Sequence, residues 1–228
     1  MCYNKISKED LTEEITEMTN VYVFDLDGTL VDSMPYFSKG ILSILDDAGI
    51  PYQPELINVV TPLGYTKTAE LYVTMGVKDT VDTIVSNIEK KLVKEYSENV
   101  RLKNGVFEYL TALHSAGARL FVLTASPHIV TDVCLKNNGV FELFEKVWSV
   151  EDFGLSKSDT RLFYEVAASI GCDNSDIKYF DDNLTAVTNS KKSGYFVYGI
   201  RDMQAESDIE SIKALCDCFV DDFSDLIK

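Results

Sequence analysis

Apolar positions along this chain fall into two rhythms. Short runs rich in β-branched and aromatic residues occur at residues 21–25, 119–124, 146–150, 178–181, 195–200 and 218–220, and they predict strands. Between them, at 106–116, 128–137, 160–170, 184–192 and 205–215, apolar residues recur three or four apart and predict helices. Gly117, Gly139, Gly171 and Gly194 each follow one of those helices, where a left-handed C-terminal stop is expected. Strands alternating with helices imply an α/β fold, a Rossmann-like, doubly wound parallel sheet.

The interval 33–101 breaks that alternation. It holds helical patterns at 36–48, 69–75 and 79–97, punctuated by Gly49, Pro51, Pro54, Pro62 and Gly64, and shows no convincing strand. This reads as an all-helical cap domain inserted after the first strand, residues 33–101, with the core formed by 21–32 and 102–228. Residues 1–20 form an N-terminal extension. Its Ile6, Leu11, Ile15 and Met18 are spaced for one short amphipathic helix, so a docked helix and a frayed tail are both open.

The first strand ends in Asp25-Leu26-Asp27-Gly28-Thr29-Leu30. Side chains at i and i+2 of a strand project to the same side, so a glycine turn receives two carboxylates together. Phosphoryl transfer can use such a pair, Asp25 as nucleophile and metal ligand and Asp27 as acid and base. Other strands also end in polar groups. Thr124-Ala125-Ser126-Pro127 stands just before a helix, where a hydroxyl and free amides make a seat for phosphate. Lys157 lies in a loop between a strand and a helix, and its ammonium can neutralise a carboxylate nucleophile and a phosphate. Asp181-Asp182 close another strand before a capping Asn183 and complete an oxygen-rich site suited to Mg²⁺. All four groups sit at carboxyl ends of strands, where parallel sheets bind ligands.

Composition narrows the partners. The 228 residues carry a formal net charge of −16, which repels nucleic acid and anionic membranes, so a bound phosphate needs local help from a metal, a lysine or backbone amides. Small solutes are the expected partners. Cys2, Cys134, Cys172, Cys216 and Cys218 are odd in number, without ligand spacing, and read as reduced, mostly buried thiols of a cytoplasmic protein. No apolar stretch approaches the roughly 20 residues of a membrane span, and the N-terminus lacks an apolar signal segment. His114 and His128, the only histidines, read as structural and leave no Ser-His-Asp or zinc pattern.

In order and spacing, Asp25-Leu26-Asp27-Gly28-Thr29, Thr124, Lys157 and Asp181-Asp182 resemble the four motifs of the haloacid dehalogenase-like superfamily. The resemblance runs from about Val21 to Leu226. The helical insert is similar to the first type of cap in that family, as in its phosphoglycolate phosphatase and beta-phosphoglucomutase branch. One departure stands at the third motif, where Ser158 and Thr160 replace the usual prolines, a change in loop stiffness more than in chemistry.

The resemblance implies an enzyme with Mg²⁺ on Asp25, the Asp27 main-chain carbonyl and Asp182, with Asp181 joining or supporting. It implies an aspartyl-phosphate on Asp25, with Thr124, Lys157 and the amides of Leu26 and Ala125 on the transferring oxygens, and a cap whose closure excludes water. Asp27, which the dehalogenase branch lacks, favours phosphoryl transfer. Phe37 stands where beta-phosphoglucomutases carry a histidine, so a phosphatase of small phosphomonoesters, phosphoglycolate or sugar phosphates, is expected ahead of a phosphosugar mutase or a non-catalytic phosphate binder. The segment Thr61 to Lys67 matches the position of the family's specificity loop, and Lys67 is a candidate for an acidic or phosphorylated tail. The expected assembly is a monomer or weak homodimer.

Overall fold

In the computed structural model, which describes residues 21–227, the strands lie in one parallel sheet of order β3-β2-β1-β4-β5-β6. They are β1 (Val21–Phe24), β2 (Arg119–Thr124), β3 (Lys146–Ser149), β4 (Ile177–Asp181), β5 (Phe196–Ile200) and β6 (Cys218–Val220). The expected helix at 1–20 lies outside the described residues. By contact the chain divides into two units, residues 21–32 with 101–227, and residues 33–100.

Chain order runs outward from β1 through β2 to β3, then returns to β4 on β1's other side. The reversal makes the gap between β1 and β4 a topological switch point, where loops leave in opposite directions and a crevice opens. Phe24 pairs with Val122 on one side and Phe180 on the other, so Asp25 and Asp181, each one residue on, emerge side by side. The Asp25 amide donates to the Phe180 carbonyl at 2.9 Å and carries the pairing one step past the strand.

Alternation along β1 supplies both faces of the sheet with apolar groups. Val21 and Val23 join Phe121, Leu123, Phe163, Tyr179 and Val197 in one core, against α7 (Arg161–Ile170) and α8 (Leu184–Lys192). On the opposite face, Phe24 packs on Phe180 with ring centroids 4.6 Å apart, and Phe180 stacks on Tyr198 at 4.2 Å. Burying each such phenylalanine stabilises the fold by roughly 1.5–3 kcal/mol. The remaining helices of this unit are α5 (Val106–Ser115), α6 (His128–Asn137) and α9 (Ile209–Leu215). The α-helix expected over 205–215 begins only at Ile209, after a 3-10 stretch at Met203–Asp208, because Ser207 and Asp208 are poor helix-interior residues.

The second unit consists of α1 (Met34–Ala48), α2 (Leu56–Val60), α3 (Gly64–Met75) and α4 (Val81–Glu98). Ile41, Leu45, Tyr72, Ile88, Leu92 and Tyr96 form its buried centre. Gly40 lets α1 approach α4 closely, since a Cβ there would meet the Leu92 side chain at 2.6 Å. One addition is needed here. Helix α2 is not among the expected helices, and the segment Thr61 to Lys67 is helical, a 3-10 turn at Thr61–Leu63 followed by α3. Pro54 and Pro62 were read as breakers, but they stand near helix starts, where proline is tolerated.

The cysteines also differ from expectation. Among the described cysteines Cys134 alone is buried, while Cys172, Cys216 and Cys218 are half-buried, because they sit after a helix or along the edge strand β6. No described helix is long and apolar enough to cross a membrane.

Candidate active site

At the switch point, Asp25, Asp181 and Asp182 each offer a carboxylate oxygen, and these oxygens lie within 4.8 Å of one another. Three acids come that close because β1 and β4 end in register and the chain turns immediately after each. The turn after β1 is Gly28, whose φ of 83° favours glycine and lets the backbone pass beside Asp182. Thr29, fully buried, donates its hydroxyl to Asp182 Oδ1 at 3.0 Å. After β4, Asn183 caps α8 by accepting from the amides of Thr185 at 2.9 Å and Ala186 at 3.3 Å.

The two adjacent acids differ in how far they are engaged. Asp181 is 1% exposed and accepts from Lys157 Nζ at 2.8 Å, the Tyr179 hydroxyl at 2.5 Å and the Asn183 amide at 2.8 Å. Lys157 also ion-pairs with Asp25. Two of its three donors are so used, leaving one for an incoming oxygen. On the β2 side, Ser126 donates to Asp27 Oδ2 at 2.6 Å, and its amide donates to the buried Thr124 hydroxyl at 3.1 Å.

Burial raises the Asp25 carboxyl to about 7; Lys157 opposes the rise, and Asp181 and Asp27 add to it. Burial, followed by Asp181, Asp25 and Asp202, also holds Asp182 well above the usual carboxylate range. Burial alone would lower the Lys157 ammonium, but Asp181 and Asp25 outweigh it and move it upward. The Lys157 ammonium therefore serves two buried carboxylates, Asp25 and Asp181, while the half-buried Asp182 feels only the more distant charge of Lys103. The donor set is all oxygen, close-packed and short of positive charge, which fits a hard divalent cation.

Asp25, Asp27, Thr124, Lys157, Asp181 and Asp182 thus come together at one end of the sheet. Leu26 is buried and Ala125 exposed in the turns beside them, and among the described residues neither amide donates to a turn or cap carbonyl. Lys67 is different: it lies exposed on the first turn of α3, in the helical unit.

Two neighbours escaped sequence reasoning. Tyr179, the donor to Asp181, stands two residues before it on β4, and the i, i−2 spacing was the available signal. Lys103 donates to the Gly28 carbonyl, to the Arg201 carbonyl at 2.9 Å and to Asp202 Oδ2 at 2.8 Å. Nothing local in the sequence marks it, because its partners are 75 to 99 positions away.

Comparison with known proteins identifies the family. Residues 22–200 match the family model described as haloacid dehalogenase-like hydrolase. Pyrophosphatase PpaX of Bacillus velezensis is 27% identical over 180 residues, covering 78% of this chain and 81% of that protein. A phosphoglycolate phosphatase of Haemophilus influenzae is 26% identical over 189 residues, covering 78% and 83%. Among solved structures, CbbY from Rhodobacter sphaeroides in complex with phosphate superposes with a TM-score of 0.79 at 15% identity, covering 92% and 96%. The chain belongs to the haloacid dehalogenase-like hydrolases, an enzyme family.

Proposed function

We propose that this hydrolase is a Mg²⁺-dependent phosphatase of small phosphorylated metabolites, with phosphoglycolate and sugar phosphates as the nearest substrate classes. The observation that carries the reading is the contact of Lys157 with both Asp25 and Asp181 at the switch point. A nucleophilic carboxylate is useless beside a phosphate unless positive charge lies between them, and this arrangement supplies it. The named activities of the two sequence relatives support phosphate-ester or phosphoanhydride hydrolysis.

Asp25, Asp182 and the main-chain carbonyl of Asp27 would hold Mg²⁺, with Asp181 in reach but already taken up by three donors. When bound, the ion would offset the repulsion among the carboxylates and between them and the phosphate. Asp25 attacks phosphorus while the ester P–O bond breaks, and Asp27 gives the departing oxygen its proton. Asp27 then takes a proton from water, which attacks the aspartyl-phosphate and releases inorganic phosphate and free Asp25. Thr124, the third donor of Lys157, and the amides of Leu26 and Ala125 bind the phosphoryl oxygens through both steps. Ser126, already on Asp27, orients that acid.

The test is phosphate release from a panel of phosphomonoesters plus inorganic pyrophosphate, with and without Mg²⁺, using Asp25→Asn as control. Metal-dependent release abolished by the substitution is expected. No release from any substrate would overturn the reading and favour a mutase or a binding protein.

A further inference from the structure

Lys157 reaches the carboxylates from a loop without proline, so the order of that loop has another source. Residues 156–159 make a four-residue turn closed by the Asp159 amide on the Ser156 carbonyl at 2.9 Å. The Ser156 and Ser158 hydroxyls bond at 2.7 Å, but both serines are exposed and compete with water. The main chain of Lys157 itself is gripped from a different element. Asn189 Nδ2 donates to the Lys157 carbonyl at 3.0 Å and also to Thr185, one turn back on its own helix, at 3.0 Å. The backbone at Lys157 is thereby tied to α8, the helix that Asp181, Asp182 and Asn183 lead into. Six residues at a rise of about 1.5 Å each put Asn189 roughly 9 Å along the axis from Asn183. One short rigid helix connects the acidic pair to the backbone of the lysine.

We propose that Asn189 is a positioning residue for Lys157, which holds the lysine's carbonyl from α8 and so sets the ammonium between Asp25 and Asp181. The proposal rests on reading Lys157 as the group that serves the nucleophile and the transferring oxygens. A lysine stem is flexible, so its head stays placed only while its root is fixed. A shift of about 1 Å at such a group can cost up to roughly a hundredfold in rate.

Two measurements test this, one of them independent of turnover. In ¹⁵N NMR of the whole protein, the Lys157 ammonium, assigned by its loss in Lys157→Arg, is expected as one protected signal that broadens or shifts in Asn189→Ala. In the phosphate-release assay, Asn189→Ala is expected to lower kcat about tenfold with a smaller change in KM. Thr160 offers a rescue: its φ is −60°, the angle proline imposes, and its amide donates none of the loop hydrogen bonds. Thr160→Pro alone is expected to change kcat less than twofold, and in the Asn189→Ala background to recover most of the loss. An Asn189→Ala protein with the native signal and rate overturns the proposal, and so does a defect that persists with Thr160→Pro. A wild-type protein that releases no phosphate refutes the phosphatase reading, while the ammonium signal still tests Asn189.

Discussion

A Cβ atom built on Gly28 would lie 2.5 Å from Oδ2 of Asp182. The glycine is thus required twice, by this approach and by its φ of 83°. Gly28→Ala is expected to displace Asp182 and weaken Mg²⁺ binding at least tenfold in calorimetric titration. The left-handed backbone adds a stability loss of about 1–2 kcal/mol, readable by urea denaturation.

Lys103 and Asp202 form an ion pair with side chains 18% and 6% exposed, and the same ammonium holds the Gly28 and Arg201 carbonyls. Lys103→Met would take the ammonium away from a buried carboxylate. A loss of about 3 kcal/mol in urea denaturation is expected, with part recovered in Lys103→Met/Asp202→Asn. A double variant as unstable as the single one would show that the carbonyl contacts matter more than the charge pair.

Tyr179 donates to Asp181 at 2.5 Å from within the sheet. Tyr179→Phe keeps the ring and removes one of three donors to that carboxylate. We expect a fall in stability of about 1.5 kcal/mol, typical of a hydrogen bond to a charged group, and a several-fold drop in kcat. Equal kcat in the two proteins would mean that Lys157 and the Asn183 amide suffice to hold Asp181.

His128 opens α6 with Nε2 on Asp152 at 2.9 Å and Nδ1 near Asp132 at 3.5 Å. Burial pushes its imidazolium down, but these carboxylates outweigh it and raise the pKa above the usual value. A group whose folded pKa is raised stabilises fully below its unfolded pKa, and that contribution disappears as pH climbs through the folded value. Melting temperature should therefore decline slightly with rising pH above about 6.5. The ring is 44% exposed, so water and salt hold the effect below about 1 kcal/mol. A His128→Gln protein with the same pH profile would assign the decline to other groups.

Much of this architecture was legible because its signals are local. The strand at Arg119–Thr124 and the helices at His128–Asn137 and Leu184–Lys192 fall where periodicity and punctuation put them. Asp25, Thr124, Lys157 and Asp181-Asp182 could be grouped because each stands at or just after a strand end, and a parallel sheet gathers such ends. Lys103, by contrast, acts through partners far away in sequence, and Ser126 meets Asp27 across 99 positions. No window of residues encodes those meetings; they exist only after the strands are in register. The short helix Leu56–Val60 was missed for the opposite reason, since Pro54 was read as a stop when it announces a start.

The chain leaves the sheet unit at Asp32 and re-enters it at Arg101, and there the Asp32 amide donates to the Arg101 carbonyl at 3.1 Å while Val31 bridges Leu102. Departure and return are therefore neighbours, stitched together like the two sides of a buttonhole. Whatever is threaded between them, longer, shorter or differently folded, need not disturb the wiring that aligns Asp25 with Asp181. In evolutionary terms, the residues of the switch point and the helices of residues 33–100 can accumulate change separately within a single gene.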